Sequence, residues 1–468
     1  MIVREPLPAP RMTRAMRLLG SIAIGFVAAL VWSCATVERP DLAHLYRGMA
    51  MDANPVIVIP GVLGSRLKNR KTGESVWPGP VTNLLFGSQS ELALRFDPRT
   101  LEVLPDDLEA DGLFEEALGQ DYYGEILRTL VRDGGYRRRA PGDACVKGER
   151  AFHVFAYDWR QDNVVTAGKL DALIESIRRD CGDPSMKVDI VAHSMGGLVT
   201  RYYLRYGTAD VLDSNALEPN LVGASKVRRA VLLGTPNLGA VSSLHGFLVG
   251  KPIGLGKVPT EVLATMPSVF ELFPHPLNAW LVNPDGSELA RDLFDVHIWR
   301  RFEWSIFDAE VRANLRRQGM DDAGLAAFER WFEKRLERAR RFVWSLTRDA
   351  PPMDTQVILF GGDCTATPAR LLVEEAGGDS VVRLDPRTVT DRRPGVDYEA
   401  LMLEPGDGVV TKASLLARDN LDPTAPRHRY VDFPIAGAFF LCVRHDAMTG
   451  NLTFQDNLLH ALLSRDWP

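Results

Sequence analysis

Residues 187–197, KVDIVAHSMGG, limit what this chain can fold into more than any other stretch, because they set Ser194 between small residues where an apolar run passes into a helical pattern. Val188, Ile190 and Val191 predict a buried strand, and Gly196, Gly197 and the following LVTRYYLRY predict a helix whose apolar face packs back on the sheet. The reversal between them must be tight. Small side chains two residues either side of the serine let such a strained turn close, and Ala192 and Gly196 supply them, with alanine standing where glycine is usual. A turn of this kind lifts the serine hydroxyl clear of the sheet and aims the backbone N–H of Met195 at the place where an oxyanion would form.

A serine so placed becomes a nucleophile only with a base and an acid behind it, expected downstream in the order serine, acid, histidine. Asp407 lies in EPGDGVVTKAS, a glycine-flanked acidic turn beyond the strand pattern TQVILFGG, and its other reading is an ordinary turn aspartate. His445 follows in FFLCVRHDAMTGN, a loop between an apolar run and the last helix, NLTFQDNLLHALLS. His460 in that helix is the rival base, but it falls among Leu458, Leu459 and Leu462 and is expected to pack against the sheet. His193 reads as the spacer of the turn and His153 as part of a strand. No cluster has metal-ligand spacing, and no cofactor is expected.

Seven segments recur together here: NPVIVIPGVLGSRL at 54–67, LVRDGGY at 130–136, AYDWR at 156–160, AHSMGG at the turn, LLGTPNLGA at 232–240, PGDGVV at 405–410, and the closing RHDAMTGNLTF. In kind and order, over nearly the whole chain after residue 50, they resemble the lecithin:cholesterol acyltransferase family, in its bacterial and phospholipid:diacylglycerol acyltransferase-like forms. The resemblance implies an α/β-hydrolase fold: a mostly parallel sheet with helices on both faces and an inserted cap. It implies Ser194 as nucleophile, Asp407 as acid and His445 as base, with Val409 standing where the family has threonine. PGVLGS resembles the family segment that gives the second oxyanion donor, here the amide of Val62, or else of Leu63, beside that of Met195. Removing one such donor typically costs about 3 to 4 kcal/mol in a transition state.

The activity implied is serine-dependent transfer of a fatty acyl group from a phospholipid or glycerolipid ester to an alcohol or water, through an acyl-enzyme. A carboxylesterase or triacylglycerol lipase would share every catalytic residue, and a catalytically silent lipid-binding lipoprotein is the reading from another class. In AYDWR, Asp158 and Arg160 are expected to pair and brace the loops beside the serine, the alternative being that Trp159 lines an acyl channel.

The 468 residues, 46% hydrophobic and 25% charged, suffice for one large core with an elaborated cap. A net charge of -6, with no basic block interleaved with aromatics, argues against nucleic acid as a partner. A lipid substrate and a lipid or membrane surface are the expected partners, and no protein partner is indicated. The organisation expected is a signal peptide at 1–33, a linker at 34–53, and core at 54–240 interrupted by an insertion at about 68–120. A cap or lid follows at 241–353, then the rest of the core at 354–468. Trp77, Leu84, Leu85 and Phe86 in the first insertion suit either a lipid interface or packing under the first loop. In the cap, Phe328, Trp331, Leu336 and Phe342 are expected on one helical face, and the stretch from Leu255 to Phe273 as the ceiling of an acyl groove.

Arg14 and Arg17 precede LLGSIAIGFVAALVW, a run too short for a comfortable membrane span. The ending Val31-Trp32-Ser33-Cys34 resembles a bacterial lipobox, which would make Cys34 a lipidated N-terminus at the periplasmic face or cell surface. The alternative is an uncleaved anchor or a non-lipidated signal, still exported. Cys145 with Cys181, before neighbouring strands, and Cys364 with Cys442, at the catalytic edge, are either two disulfides or free buried thiols.

Overall fold

Val56–Ile59 is a run of four aliphatic residues, fully buried, and strands of similar character gather on either side of it. In the computed structural model these are β1 (Val56–Ile59), β2 (Arg137–Arg138), β3 (Ala151–Val154), β4 (Val188–His193), β5 (Val227–Leu233), β6 (Gln356–Gly362) and β7 (Gly437–Leu441). They pair in the order β7-β6-β5-β4-β1-β3-β2, every pair parallel. Consecutive residues of β1 and β4 are buried although successive side chains point to opposite faces, so both faces of the sheet are covered. Helices α1 (Asn163–Asp180), α2 (Met195–Tyr206) and, at the end of the chain, α4 (Leu452–Leu463) do much of the covering, and α3 (Asp322–Ser345) belongs to the cap. This is the α/β-hydrolase architecture expected.

The structure describes residues 40–49, 54–82, 87, 89–117, 119–253, 255–277, 279–376, 379–418 and 434–464. The chain from Ala43 onward is one compact unit, and of the short unit before it, Met1–Leu42, only residues 40–42 are described. The segment expected to be a signal peptide, Cys34, Leu84, Leu85 and Phe86 therefore lie outside the described residues. No helix among the described residues is long and apolar enough to cross a membrane.

Because all seven strands run the same way, the loops after β1, β4, β5, β6 and β7 emerge at one edge, where ligands of such sheets bind. Both cysteine pairs are bridged. The Cys364–Cys442 bridge joins the chain just past the ends of the adjacent strands β6 and β7, three residues before His445. Cys145–Cys181 lies ahead of β3 and β4, which are not neighbours as expected, since β1 runs between them.

Of the two readings of Trp77, packing under the first loop holds: it is 2% exposed, stacks edge-on to Phe114 and Trp159, and donates its indole N–H to the carbonyl of Leu63 at 2.7 Å. Two further expectations are corrected. His460 does not pack inward; it is exposed, and Phe454, Leu458, Leu459 and Leu462 make the buried face of α4. Nor does the cap end at 353, for Leu371–Ala376 pairs with Leu281–Val282 of the cap and with Asp379–Arg383, so part of 354–468 builds the cap as well. Short apolar strands say nothing of which sheet they will join, and register is settled only by partners distant in sequence.

In the cap itself, α3 buries Phe328, Trp331, Phe332, Leu336 and Phe342, and Phe247, Phe270, Phe273, Trp299 and Phe332 meet in mutual ring contacts. Past β3, Arg160 is fully buried and holds Asp158 in a two-pronged pair at 2.8 Å, with a second carboxylate, Asp106, at 2.8 Å. Its Nη1 also donates to the carbonyl of Leu92. Asp106 and Leu92 belong to the first insertion, so this guanidinium fastens that insertion to the sheet edge. Arg160→Met leaves two carboxylates without their cation and is expected to lower unfolding free energy in urea by about 3 to 5 kcal/mol.

Candidate active site

Ser194 follows directly on β4 and precedes α2, with φ 53° and ψ −122°, a backbone conformation that L-residues other than glycine rarely adopt. Its neighbours make the turn feasible. A Cβ at Gly196 would lie 2.5 Å from the carbonyl oxygen of Pro60, so only glycine lets α2 start so close to the end of β1. Likewise, a Cβ at Gly61 would come within 2.8 Å of Cβ of Ser194, which shows how tightly the loop after β1 presses on the serine. The amide of Ser194 donates to the carbonyl of Leu233 at the end of β5 and anchors the turn to the sheet.

Three residues far apart in the chain meet at this point. Nε2 of His445 lies 3.1 Å from Oγ of Ser194, and Nδ1 of His445 lies 2.8 Å from Oδ2 of Asp407. The other carboxylate oxygen of Asp407 accepts the amides of Val409 at 2.9 Å and Val410 at 2.7 Å, and the amide of His445 donates to the Asp407 carbonyl at 3.0 Å. Burial pushes the Asp407 pKa up, but the adjoining His445 and the two amides outweigh it and hold the carboxyl below its ordinary value. An ionised Asp407 can only accept, so it fixes the proton of His445 on Nδ1 and leaves the lone pair of Nε2 facing the serine hydroxyl. Such an imidazole can take a proton from that hydroxyl.

The valine at 409 removes nothing from this arrangement, because both bonds to Asp407 come from backbone. A hydroxyl is nonetheless at hand, for Thr367 Oγ1 accepts the amide of Gly408 at 2.8 Å.

Of the amides after β1, that of Gly61 is engaged by the hydroxyl of Tyr123 at 2.9 Å. Those of Val62 and Met195 donate to no group among the described residues, and Val62 and Leu63 both border the cavity over Ser194. Tyr123 and His193 were not singled out as site residues by the sequence. His193 reads only as the spacer of the turn, and Tyr123 stands in an unremarkable DYY run, yet both contact the site.

The cavity measures about 930 Å³ and is mostly apolar. Val258, Leu263, Met266, Val269 and Leu272 line it, all within the stretch expected to roof a groove, whereas Leu255 is 78% exposed and stands outside. Phe247 closes another side. Trp159 borders the cavity too, so the two readings of AYDWR hold together: Asp158 and Arg160 brace, and the indole between them lines. Among the described residues no group of His, Cys, Asp and Glu is arranged to hold a metal ion.

The family model for lecithin:cholesterol acyltransferase matches residues 144–325, a span that takes in β3, β4, Ser194 and most of the cap. A chain in the crystal structure of the Tle4-Tli4 complex aligns with 88% of this chain and 99% of its own length, at 17% identity and a TM-score of 0.55. Two lipases align over similar spans at TM-scores too low to bear on the argument. These are BlEst2 of Bacillus licheniformis in its mature form (14% identity, 92% of this chain and 95% of that one, TM-score 0.32) and lipase 1 of Pelosinus fermentans (13%, 89% and 100%, 0.33). No curated protein matches the chain in sequence. The family model matched over residues 144–325 is thus that of the family the motifs resemble, the lecithin:cholesterol acyltransferases, and the fold is that of the α/β-hydrolases.

Proposed function

We propose that this protein is a serine-dependent lipid acyl hydrolase or acyltransferase working through a covalent acyl-enzyme. The observation that carries the reading is the His445 imidazole, hydrogen-bonded to both Asp407 and Ser194 beside a large apolar cavity. Nε2 of His445 takes the hydroxyl proton as Oγ of Ser194 bonds to the ester carbonyl carbon, and the carbonyl π pair moves onto oxygen. The amides of Val62 and Met195 hold that oxyanion, and Asp407 steadies the imidazolium. Collapse of the tetrahedral centre expels the alkoxide, which takes the proton back from His445. Water or an acceptor alcohol then repeats the sequence on the acyl-serine, and a site kept dry by the cap favours the alcohol.

An aliphatic wall at Val258, Leu263, Met266, Val269 and Leu272 supports a fatty acyl chain as the group transferred. Contact with a lipid surface is supported by the hairpin Lys251–Ile253 and Gly256–Val258. It borders the cavity through Lys251, Ile253 and Val258 and projects the exposed Leu255. Export, with Cys34 as a lipid anchor, fits the two disulfides, which persist in oxidising compartments.

Asp407→Asn, which leaves the geometry but misplaces the imidazole proton, is expected to lower kcat on p-nitrophenyl butyrate by about 10³- to 10⁴-fold. Wild-type kinetics in that variant would refute the assigned acid. Radiolabelled phospholipid, triacylglycerol and short esters, each with and without a long-chain alcohol, separate a phospholipid transacylase from a triacylglycerol lipase or plain esterase. The proposal expects labelled acyl alcohol or fatty acid from a glycerolipid. Met266→Trp, narrowing the apolar wall, is expected to cut turnover of a sixteen-carbon ester by about tenfold and that of butyrate by less than about threefold.

A further inference from the structure

His193 lies one residue before the serine, and its two ring nitrogens are both occupied. Nε2 is 3.2 Å from the backbone carbonyl of His445, and Nδ1 is 2.8 Å from the hydroxyl of Tyr123. A carbonyl can only accept, so Nε2 must carry the hydrogen, and in a neutral ring Nδ1 is then the acceptor. Tyr123 therefore donates its O–H to Nδ1, and its oxygen is left to accept the amide of Gly61 at 2.9 Å. The run Gly61 N–H to Tyr123 O–H to His193 N–H to His445 C=O has a single direction, and every donor and acceptor in it is used.

The two ends of that run matter. Gly61 immediately precedes Val62 in the loop pressed against Ser194, and His445 is the residue that bridges Ser194 and Asp407. Tyr123 is 5% exposed and its ring meets that of His193 edge-on, while the ring of His193 lies 4.7 Å from that of His445. Tyr157 fixes the same loop from its other side by donating to the Pro60 carbonyl at 2.9 Å. We infer that Tyr123 and His193 are positioning residues: they set the loop holding the Val62 amide and the loop holding His445 relative to one another, and so align the oxyanion donor with the base. This rests on the reading of Ser194 proposed above. The pKa of His193 is held down to about 3 by burial and by the nearby His445, in keeping with a neutral ring that can accept from Tyr123.

Full-length protein tests this with soluble p-nitrophenyl butyrate. Tyr123→Phe keeps the ring and deletes one oxygen, and it is expected to lower kcat by about tenfold or more with KM changed less than about twofold. His193→Gln, whose amide N–H can still reach the His445 carbonyl, is expected to recover most of the kcat lost in His193→Ala. Imidazole ¹⁵N NMR of the wild type is expected to show His193 as the neutral Nε2–H tautomer from pH 8 to pH 5. An unchanged kcat in Tyr123→Phe, a fall matched by lost folded protein in circular dichroism, equal losses in the Gln and Ala variants, or an Nδ1–H tautomer would each overturn the assignment. A wild-type protein that hydrolyses no ester defeats the reading of Ser194 itself, whereas an active one with an indifferent Tyr123→Phe defeats only the positioning role.

Discussion

Everything at this site hangs on the hydrogen bond between Asp407 and Nδ1 of His445. Without it the imidazole proton is free to sit on either nitrogen, and in one of those forms the serine faces a donor instead of a base. The protein surrounds the carboxylate with groups that keep it ionised: the imidazole and the backbone amides of Val409 and Val410. These compete with burial, which favours the neutral acid, and they win. The bond is thus a product of the turn at 407–410 and of the loop after β7, not of the two side chains alone.

How three such distant residues come together follows from strand direction. A parallel sheet sends the ends of β1, β4, β5, β6 and β7 to one edge, so a serine after β4, a carboxylate past β6 and a histidine past β7 share it without any long reach. Two covalent or ionic ties keep that edge in place. The Cys364–Cys442 bridge joins the ends of β6 and β7, and the buried Arg160 secures the first insertion beside β3. The cap adds the apolar wall. Its interior is a dense aromatic cluster, which lets a long excursion from the sheet hold a fixed shape over the serine.

Much of this was legible in the chain. The strand, the turn at Ser194 and α2 could be read from local pattern, because a tight reversal demands small residues at fixed offsets and a short apolar run gives way there to a helical pattern. The meeting of Ser194, Asp407 and His445 was expected from motif order, and an apolar ceiling somewhere between Leu255 and Phe273 from the cleft a fatty chain needs; which residues of that stretch line the cavity was not legible. What could not be read depends on distant partners. The apolar neighbours of Trp77 suit a lipid interface and packing under the first loop equally, and only its contacts with Leu63, Phe114 and Trp159 decide for the second. LLVEEA joins the cap because Leu281–Val282 offers it an edge, which no local pattern announces. His460 shares its helix with leucines, yet a few tens of degrees of helix rotation decide which side chain faces water. Tyr123 carries no signature at all; its role exists only where Gly61 and His193 converge on its hydroxyl.

The central claim is that Ser194 becomes acylated during turnover, and trapping that species tests it most directly. Protein mixed with excess p-nitrophenyl ester, quenched in acid within the first turnovers and digested, is expected to show by mass spectrometry one acyl group on the peptide containing Ser194, absent from Ser194→Ala. Turnover with no acylated peptide, or with the acyl group on any other residue, would contradict the account.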